Sequence, residues 1–141
     1  MSNSENAAPN QIMLKAGHAD LAALIGRVLI CVLFFISGVW KLQSADGTIG
    51  YIASVGLPLP QLGYVIALVV ELGVATALLV GFKPRTMAFI MAVFCIATAV
   101  FFHHDFGDQN QMVHFLKNLT MTGGLLQIVA FGAGRYAVSK S

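Results

Sequence analysis

Residues Leu21–Leu42 read LAALIGRVLICVLFFISGVWKL, and only Arg27 and Lys41 interrupt an otherwise uncharged run. A helix that crosses the hydrocarbon layer needs about 20 mainly apolar residues, and this stretch supplies them. Working outward, a loop with Asp46-Gly47 and the turn-forming Gly56-Leu57-Pro58-Leu59-Pro60 precedes a second apolar run, Leu62–Phe82. Lys83-Pro84-Arg85 breaks the chain, because Pro84 cannot continue a helix and restricts the residue before it. A third run covers Thr86–His103. A polar loop, His104–Gln111, leads to a fourth, Met112–Gly134, which Lys117, Asn118 and Gln127 dilute.

Composition agrees with a membrane solvent. The chain has 141 residues, 57% of them hydrophobic and 10% charged, against about 25% charged in an ordinary soluble domain. A soluble chain of roughly 150 residues buries only about 70% of its surface, so that much apolar surface needs lipid. The expectation is an all-α, four-helix transmembrane bundle over residues 21–135, with a polar N-terminal tail (1–20) and a short C-terminal tail (136–141). Met1–Asn10 reads as disordered, and the segment to Asp20 as a short approach to the membrane. The start does not read as a signal peptide, since the apolar run is too long and no small-residue cleavage site follows. A net charge of +2 without a basic run excludes nucleic acid as a partner. Cys31 and Cys95 form no C-x-x-C pair and no zinc spacing.

Lys and Arg placement sets the orientation. Lys15, Lys83, Arg85, Arg135 and Lys140 flank one side, with Arg27 nearer to it, whereas Lys41 faces the other with Asp46, Asp105 and Asp108. Both termini are therefore expected in the cytoplasm.

Ionisable residues within the spans carry the functional question, because a charge at the bilayer centre costs at least about 2.5–3.5 kcal/mol. With about 1.5 Å of rise per residue, Glu71 lies near the midplane, roughly 16 Å above the cytoplasmic edge, and Arg27 roughly 9 Å above it. Arg27, Cys31, Phe34, Gly38 and Lys41 share one face of the first helix. Two cations on one stripe point it towards the bundle interior. Glu71 shares a face with Ala67, Leu68, Val74, Ala75 and Leu78; Ala88, Ala92, Cys95 and Ala99 form a small-residue stripe, and Lys117, Met121, Gly124 and Ile128 line the last helix beside Asn118. The expected pair is Glu71 with Arg27, whose heights differ by roughly 7 Å, with Lys117 as the competing partner. Such a pair either fixes helix packing or serves a proton or ligand site. Lys41, at the outer rim, snorkels to the interface unless it is an interior ligand.

His103, His104, His114 and Lys117 make a second group. Adjacent His103 and His104 point apart on a helix, which favours membrane-edge residues over a metal site, with Asp105 and Asp108 placed to orient them. The buried cysteines read as apolar filler rather than a redox pair. Phe34-Phe35 and Phe101-Phe102 read as packing or as the wall of a pocket for a flat apolar ligand, and Trp40 as an interfacial anchor.

In order along the chain these residues resemble the DoxX family of small bacterial membrane proteins, over about Leu24–Tyr136. The resemblance rests on Arg27, Phe34-Phe35, Gly38 and Lys41-Leu42, the Gly56-Leu57-Pro58 turn, Glu71-Leu72-Gly73, Gly81-Phe82 with Arg85, Ala97 and His103. It continues through Phe115-Leu116-Lys117-Asn118-Leu119, Gly123-Gly124 and Gly132-Ala133-Gly134-Arg135-Tyr136. Within the family the chain resembles the YphA-like inner-membrane members. It departs after Tyr136, where Ala137-Val138-Ser139 stand in place of an acidic ending, so no role of that acid carries over.

The resemblance implies a multi-pass protein of the bacterial inner membrane, an accessory or scaffold subunit of a quinone-linked redox assembly. Its shared polar positions, Arg27, Lys41, Glu71, His103 and Asn118, together with Lys117 from the depth argument, make the candidate interior polar site. The sequence has no haem, flavin, nicotinamide or iron–sulfur motif, so quinone or a partner protein must supply any redox chemistry, and no stand-alone activity or metal is expected. The lipid bilayer, redox partner proteins and a second copy of the chain are the expected partners. The alternative is a small-solute or proton transporter with Glu71 as its midplane site, although no inverted repeat or broken helix supports it.

Overall fold

The computed structural model describes residues 9–139, with side chains described from Ala16 onward, and the described elements are all helical. Helix α1 spans Pro9–Gln43, α2 Ala45–Ser54 and α3 Pro60–Leu68; a π-helical segment, Val69–Val74, joins α3 without a break to α4, Ala75–Val80; α5 spans Pro84–Phe102 and α6 Gln109–Phe131. Of the tail expected over Met1–Asn10, the first eight residues lie outside the described region. Pro9 and Asn10 instead begin α1, which runs straight through the expected approach segment.

The helix ends follow local chemistry. Pro60 and Pro84 occupy first-turn positions, where the missing N–H costs nothing. Gly81 closes α4 in the left-handed region (φ 77°). Its N–H donates to Leu78 O at 3.0 Å and that of Phe82 to Ala77 O at 2.8 Å, the two bonds of a Schellman end. Asp108 caps α6 by accepting from the N–H groups of Asn110 (2.8 Å) and Gln111 (3.4 Å). The last helix therefore starts at Gln109 rather than Met112. Gly132 (φ 82°) ends it, three residues after Val129 and short of the expected Gly134.

The expected loop around Asp46-Gly47 is a correction, since those residues sit inside α2. Asp46 favours a helix start through the dipole, and Ile52 anchors the helix by packing against Gly63 on α3, where a Cβ would lie 3.3 Å from Ile52 Cγ2.

The core gathers Cys31 and Phe34 from α1, Val70, Ala75 and Leu78 from the second span, Ala88, Met91, Ala92 and Cys95 from α5, and Leu125 from α6. The small-residue stripe of α5 is buried throughout. Helix α6 lies along α5 and touches α1 at Gly124, where a Cβ would sit 3.3 Å from Ile30 Cδ1. Outward faces are apolar, with Leu29, Val69, Phe89 and Val100 all exposed. Three stretches are long and apolar enough to cross a membrane: Ala16–Gln43, Pro60–Val80 and Pro84–Phe102. Helix α6 is long enough, at 23 residues, but less apolar.

Candidate functional site

Lys41 and Glu71 meet inside the bundle. The face of α1 that carries Arg27, Cys31, Phe34 and Gly38 is buried, and Lys41 continues it at 26% side-chain exposure, against 6% for Glu71. At Gly38 the helices nearly touch: a Cβ there would fall 2.6 Å from Leu72 Cδ2 and 3.3 Å from Glu71 Cβ. With no side chain between the backbones, residues one turn away reach across. Lys41 Nζ donates to Glu71 Oε1 at 2.9 Å and to Ser37 Oγ at 2.7 Å, and Ser37 Oγ donates to the same Oε1 at 3.1 Å. The Tyr64 hydroxyl donates to Lys41 O at 3.2 Å and fixes the end of α1 from α3.

Glu71 lies in the π-helical segment, whose wider turn brings Val70 and Glu71, adjacent in sequence, to the buried side together. Single π turns inside α-helices recur at functional sites. The second carboxylate oxygen, Oε2, is buried and has no hydrogen-bond donor among the described residues. A buried acceptor left open forfeits about 1–3 kcal/mol.

The expected Glu71–Arg27 pair does not form. Arg27, 2% exposed, turns to the end of the bundle where α4 and α6 finish. Its Nη1 donates to Ala133 O at 3.3 Å and its Nη2 to Tyr136 O. It also lies against Gly81, where a Cβ would sit 3.1 Å from Nη1. Helices α4 and α6 both end here, and the partial negative charge of two helix C-termini offsets the guanidinium without a carboxylate. Arg27 thereby holds the segment after α6, which runs back over the α4–α5 turn: Val138 N donates to Val80 O and Ser139 N to Gly81 O, each at 3.0 Å. Asp20 Oδ1 accepts from Arg135 N at 2.9 Å, and Gly134 (φ 74°) fits against Asp20 where a side chain would not.

The third group lies between α5 and α6. His103 and His114 stack with ring centroids 5.0 Å apart. Lys117 Nζ is 3.0 Å from His114 Nδ1, and His103 Nδ1 is 3.1 Å from Gln111 Oε1. His104 is exposed and takes no part. Asp105 and Asp108 do not orient the histidines; they accept from loop and helix N–H groups instead. Asn118 Nδ2 donates to Thr98 Oγ1 at 3.2 Å and ties α6 to α5. Among the described residues no group of three or more His, Cys, Asp or Glu is arranged to hold a metal. Cys31 and Cys95 are both buried and free, and the Cys31 thiol donates to Ala75 O at 3.3 Å.

The six sequence-derived residues thus fall into three places: Lys41 with Glu71, Arg27 at the α4 and α6 C-termini, and His103, Lys117 and Asn118 between α5 and α6. Ser37 was missed, although its place four residues before Lys41 puts it on the same helical face. Thr98 was missed too, and a lone threonine in an apolar run gives no signal.

The family model described as DoxX matches residues 22–104. The chain belongs to the DoxX family. That match holds Arg27, Ser37, Lys41, Glu71 and His103, and leaves Lys117 and Asn118 beyond it. The chain is similar to the inner membrane protein YqjF of Escherichia coli, 35% identical over 86% of this chain and 92% of that one. It is also similar to the inner membrane protein YphA of the same organism, 34% identical over 83% and 87%. A shorter likeness, 30% identical over 57% of this chain and 59% of the other, is to the putative oxidoreductase CatD of Bacillus subtilis. No solved structure matches the chain significantly. With three apolar spans and these relatives, this DoxX protein is a multi-pass protein of the inner membrane.

Two substitutions test the geometry. Lys41→Met leaves Glu71 buried without a counter-charge and is expected to lower stability by roughly 2 kcal/mol, less than for a fully enclosed pair because Lys41 is partly exposed. The double variant Lys41→Met, Glu71→Leu regains most of that loss in thermal unfolding in detergent. An additive double variant would show that the two residues are not coupled. Arg27→Gln, too short to reach both carbonyls, is expected to cost about 2 kcal/mol and to speed hydrogen exchange over residues 132–139. Unchanged exchange there would show that the segment does not depend on Arg27.

Proposed function

We propose that the protein is a four-span inner-membrane subunit, with both termini cytoplasmic, that serves as an accessory or scaffold component of a quinone-linked redox assembly. The fourth span is α6. Its outward residues Val113, Leu116, Leu119 and Leu126 are exposed and apolar, whereas Lys117 and Asn118 turn inward. A helix lying in water would present the reverse arrangement. An even number of crossings puts both termini on one side. Lys83, Arg85 and Arg135 gather at the end where the segment after α6 meets the α4–α5 turn, so the positive-inside rule makes that end cytoplasmic.

The observation that carries the redox reading is Glu71: one oxygen is held by Lys41 and Ser37, and the other is buried and open within an apolar shell. Sites for amphipathic ligands combine a mostly apolar wall with few placed polar groups. The partial likeness to a protein named a putative oxidoreductase points the same way. The chain itself supplies binding and orientation, and a partner supplies the electron chemistry. Proton or small-solute transport is the second reading, since the same open oxygen can take up a proton near the midplane.

Topology is checked with a membrane-impermeant maleimide: His104→Cys is expected to react in intact spheroplasts, and Tyr136→Cys only after permeabilisation. Reaction of both without permeabilisation would remove α6 from the membrane. Function is checked by mass spectrometry of small molecules and proteins retained after mild detergent extraction from native membranes. Quinone or a redox enzyme is expected with the native chain and reduced with Glu71→Gln. A ligand-free, partner-free protein in both cases would overturn the redox reading in favour of transport.

A further inference from the structure

We infer that the Glu71 site selects the redox state of its ligand, binding a hydroquinone in preference to the corresponding quinone. This rests on the quinone-linked reading above and adds to it which form of the ligand is held.

Glu71 is the partner of an ammonium at 2.9 Å and of a hydroxyl at 3.1 Å, both on Oε1. An ionised carboxylate only accepts hydrogen bonds. Its free lone pairs on Oε2 are buried and have no donor among the described residues. What completes the site must therefore bring an O–H or N–H.

Lys41 Nζ gives two of its three protons to Oε1 and Ser37 Oγ and none to Oε2, and the Ser37 hydroxyl is turned to Oε1. The Cys31 thiol, on the same face of α1, donates to Ala75 O. A hydroquinone presents two O–H donors on a flat apolar ring. A quinone presents only carbonyl acceptors, and against Oε2 it would set oxygen against oxygen with no proton between them. An unpaired polar contact of this kind discriminates more strongly than a difference in apolar shape. The neighbouring positions are apolar: Phe34, one turn before Ser37 on α1, and Val70, next to Glu71, are buried, and Leu72 packs over Gly38.

The test uses the full chain in lipid nanodiscs under anaerobic conditions, with decyl-benzoquinone and its hydroquinone as separate probes and retained probe quantified by mass spectrometry. The native protein is expected to hold the hydroquinone at least about tenfold more tightly, the ratio of one well-placed hydrogen bond. Glu71→Gln removes the ionised acceptor and is expected to abolish the preference by lowering retention of the hydroquinone. Ser37→Ala keeps the carboxylate and is expected to keep the preference. Equal retention of both forms by the native protein, or tighter quinone, overturns the inference while leaving the quinone-linked reading in place. Retention of neither form overturns that reading and the inference with it. The native comparison decides the matter even if Glu71→Gln fails to fold.

Discussion

The contact between Lys41 and Glu71 is the constraint on which the packing of α1 against the second span depends. A carboxylate in the middle of a helix surrounded by lipid is tolerable only with a counter-charge inside the protein. The nearest cation sits on another helix, so the pair requires two backbones to approach closely, and Gly38 permits it opposite Glu71 and Leu72. Ser37 and Lys41, one turn apart on the same helical face, then converge on Oε1. Lys41 also lies in the last turn of α1, where the helix dipole favours a cation. The placement of α1 against the second span thus follows from one ion pair and one glycine.

The opposite end of the bundle meets a different demand with a different device. Arg27 has no carboxylate partner among the described residues, yet it is almost fully enclosed. What faces it are carbonyls: Ala133 and Tyr136 after the end of α6, and the Gly81 turn at the end of α4. Two helix C-termini together present a distributed negative charge, and a guanidinium with five donors can serve several carbonyls at once where an ammonium could not. The Arg27 charge is consequently committed through both Nη atoms to holding the chain's last segment in place, while its Nε, like Glu71 Oε2, is buried without a hydrogen-bond partner among the described residues.

Much of this was legible in the residues. The 3,4 spacing from Arg27 to Lys41 identified the inward face of α1 correctly, because a helix surrounded by lipid has no reason to repeat charge on one stripe except to bury it. The alanine and cysteine stripe of α5 read equally well. The partner of Glu71 did not. Heights from a constant rise made Arg27 the nearer cation, but rise says nothing of direction, and Arg27 points away towards the helix ends. Lys41 read as a rim residue, and it does lie in the last turn of α1, but its four-carbon stem reaches back into the bundle to Glu71. The π-helical segment has no pattern of its own in Val69–Val74, and α2 hid behind Asp46-Gly47, a pair that usually marks a turn.

Two costs coincide at Glu71, and they argue against a role in packing alone. A buried ion pair is often no better for stability than apolar residues of the same shape, and a π turn carries poorer backbone geometry than the α-helix on either side of it. Either feature alone has a structural explanation. Together they place a carboxylate on the buried face at the one point where the helix is widened, and they hold it by one oxygen only. An ion pair selected to join two helices gains most when both oxygens are used, as the bidentate pairs of proteins show. Here both available donors converge on Oε1 while Oε2 stays buried and open. That asymmetry suits a group that keeps one face for the protein and the other for a molecule that comes and goes.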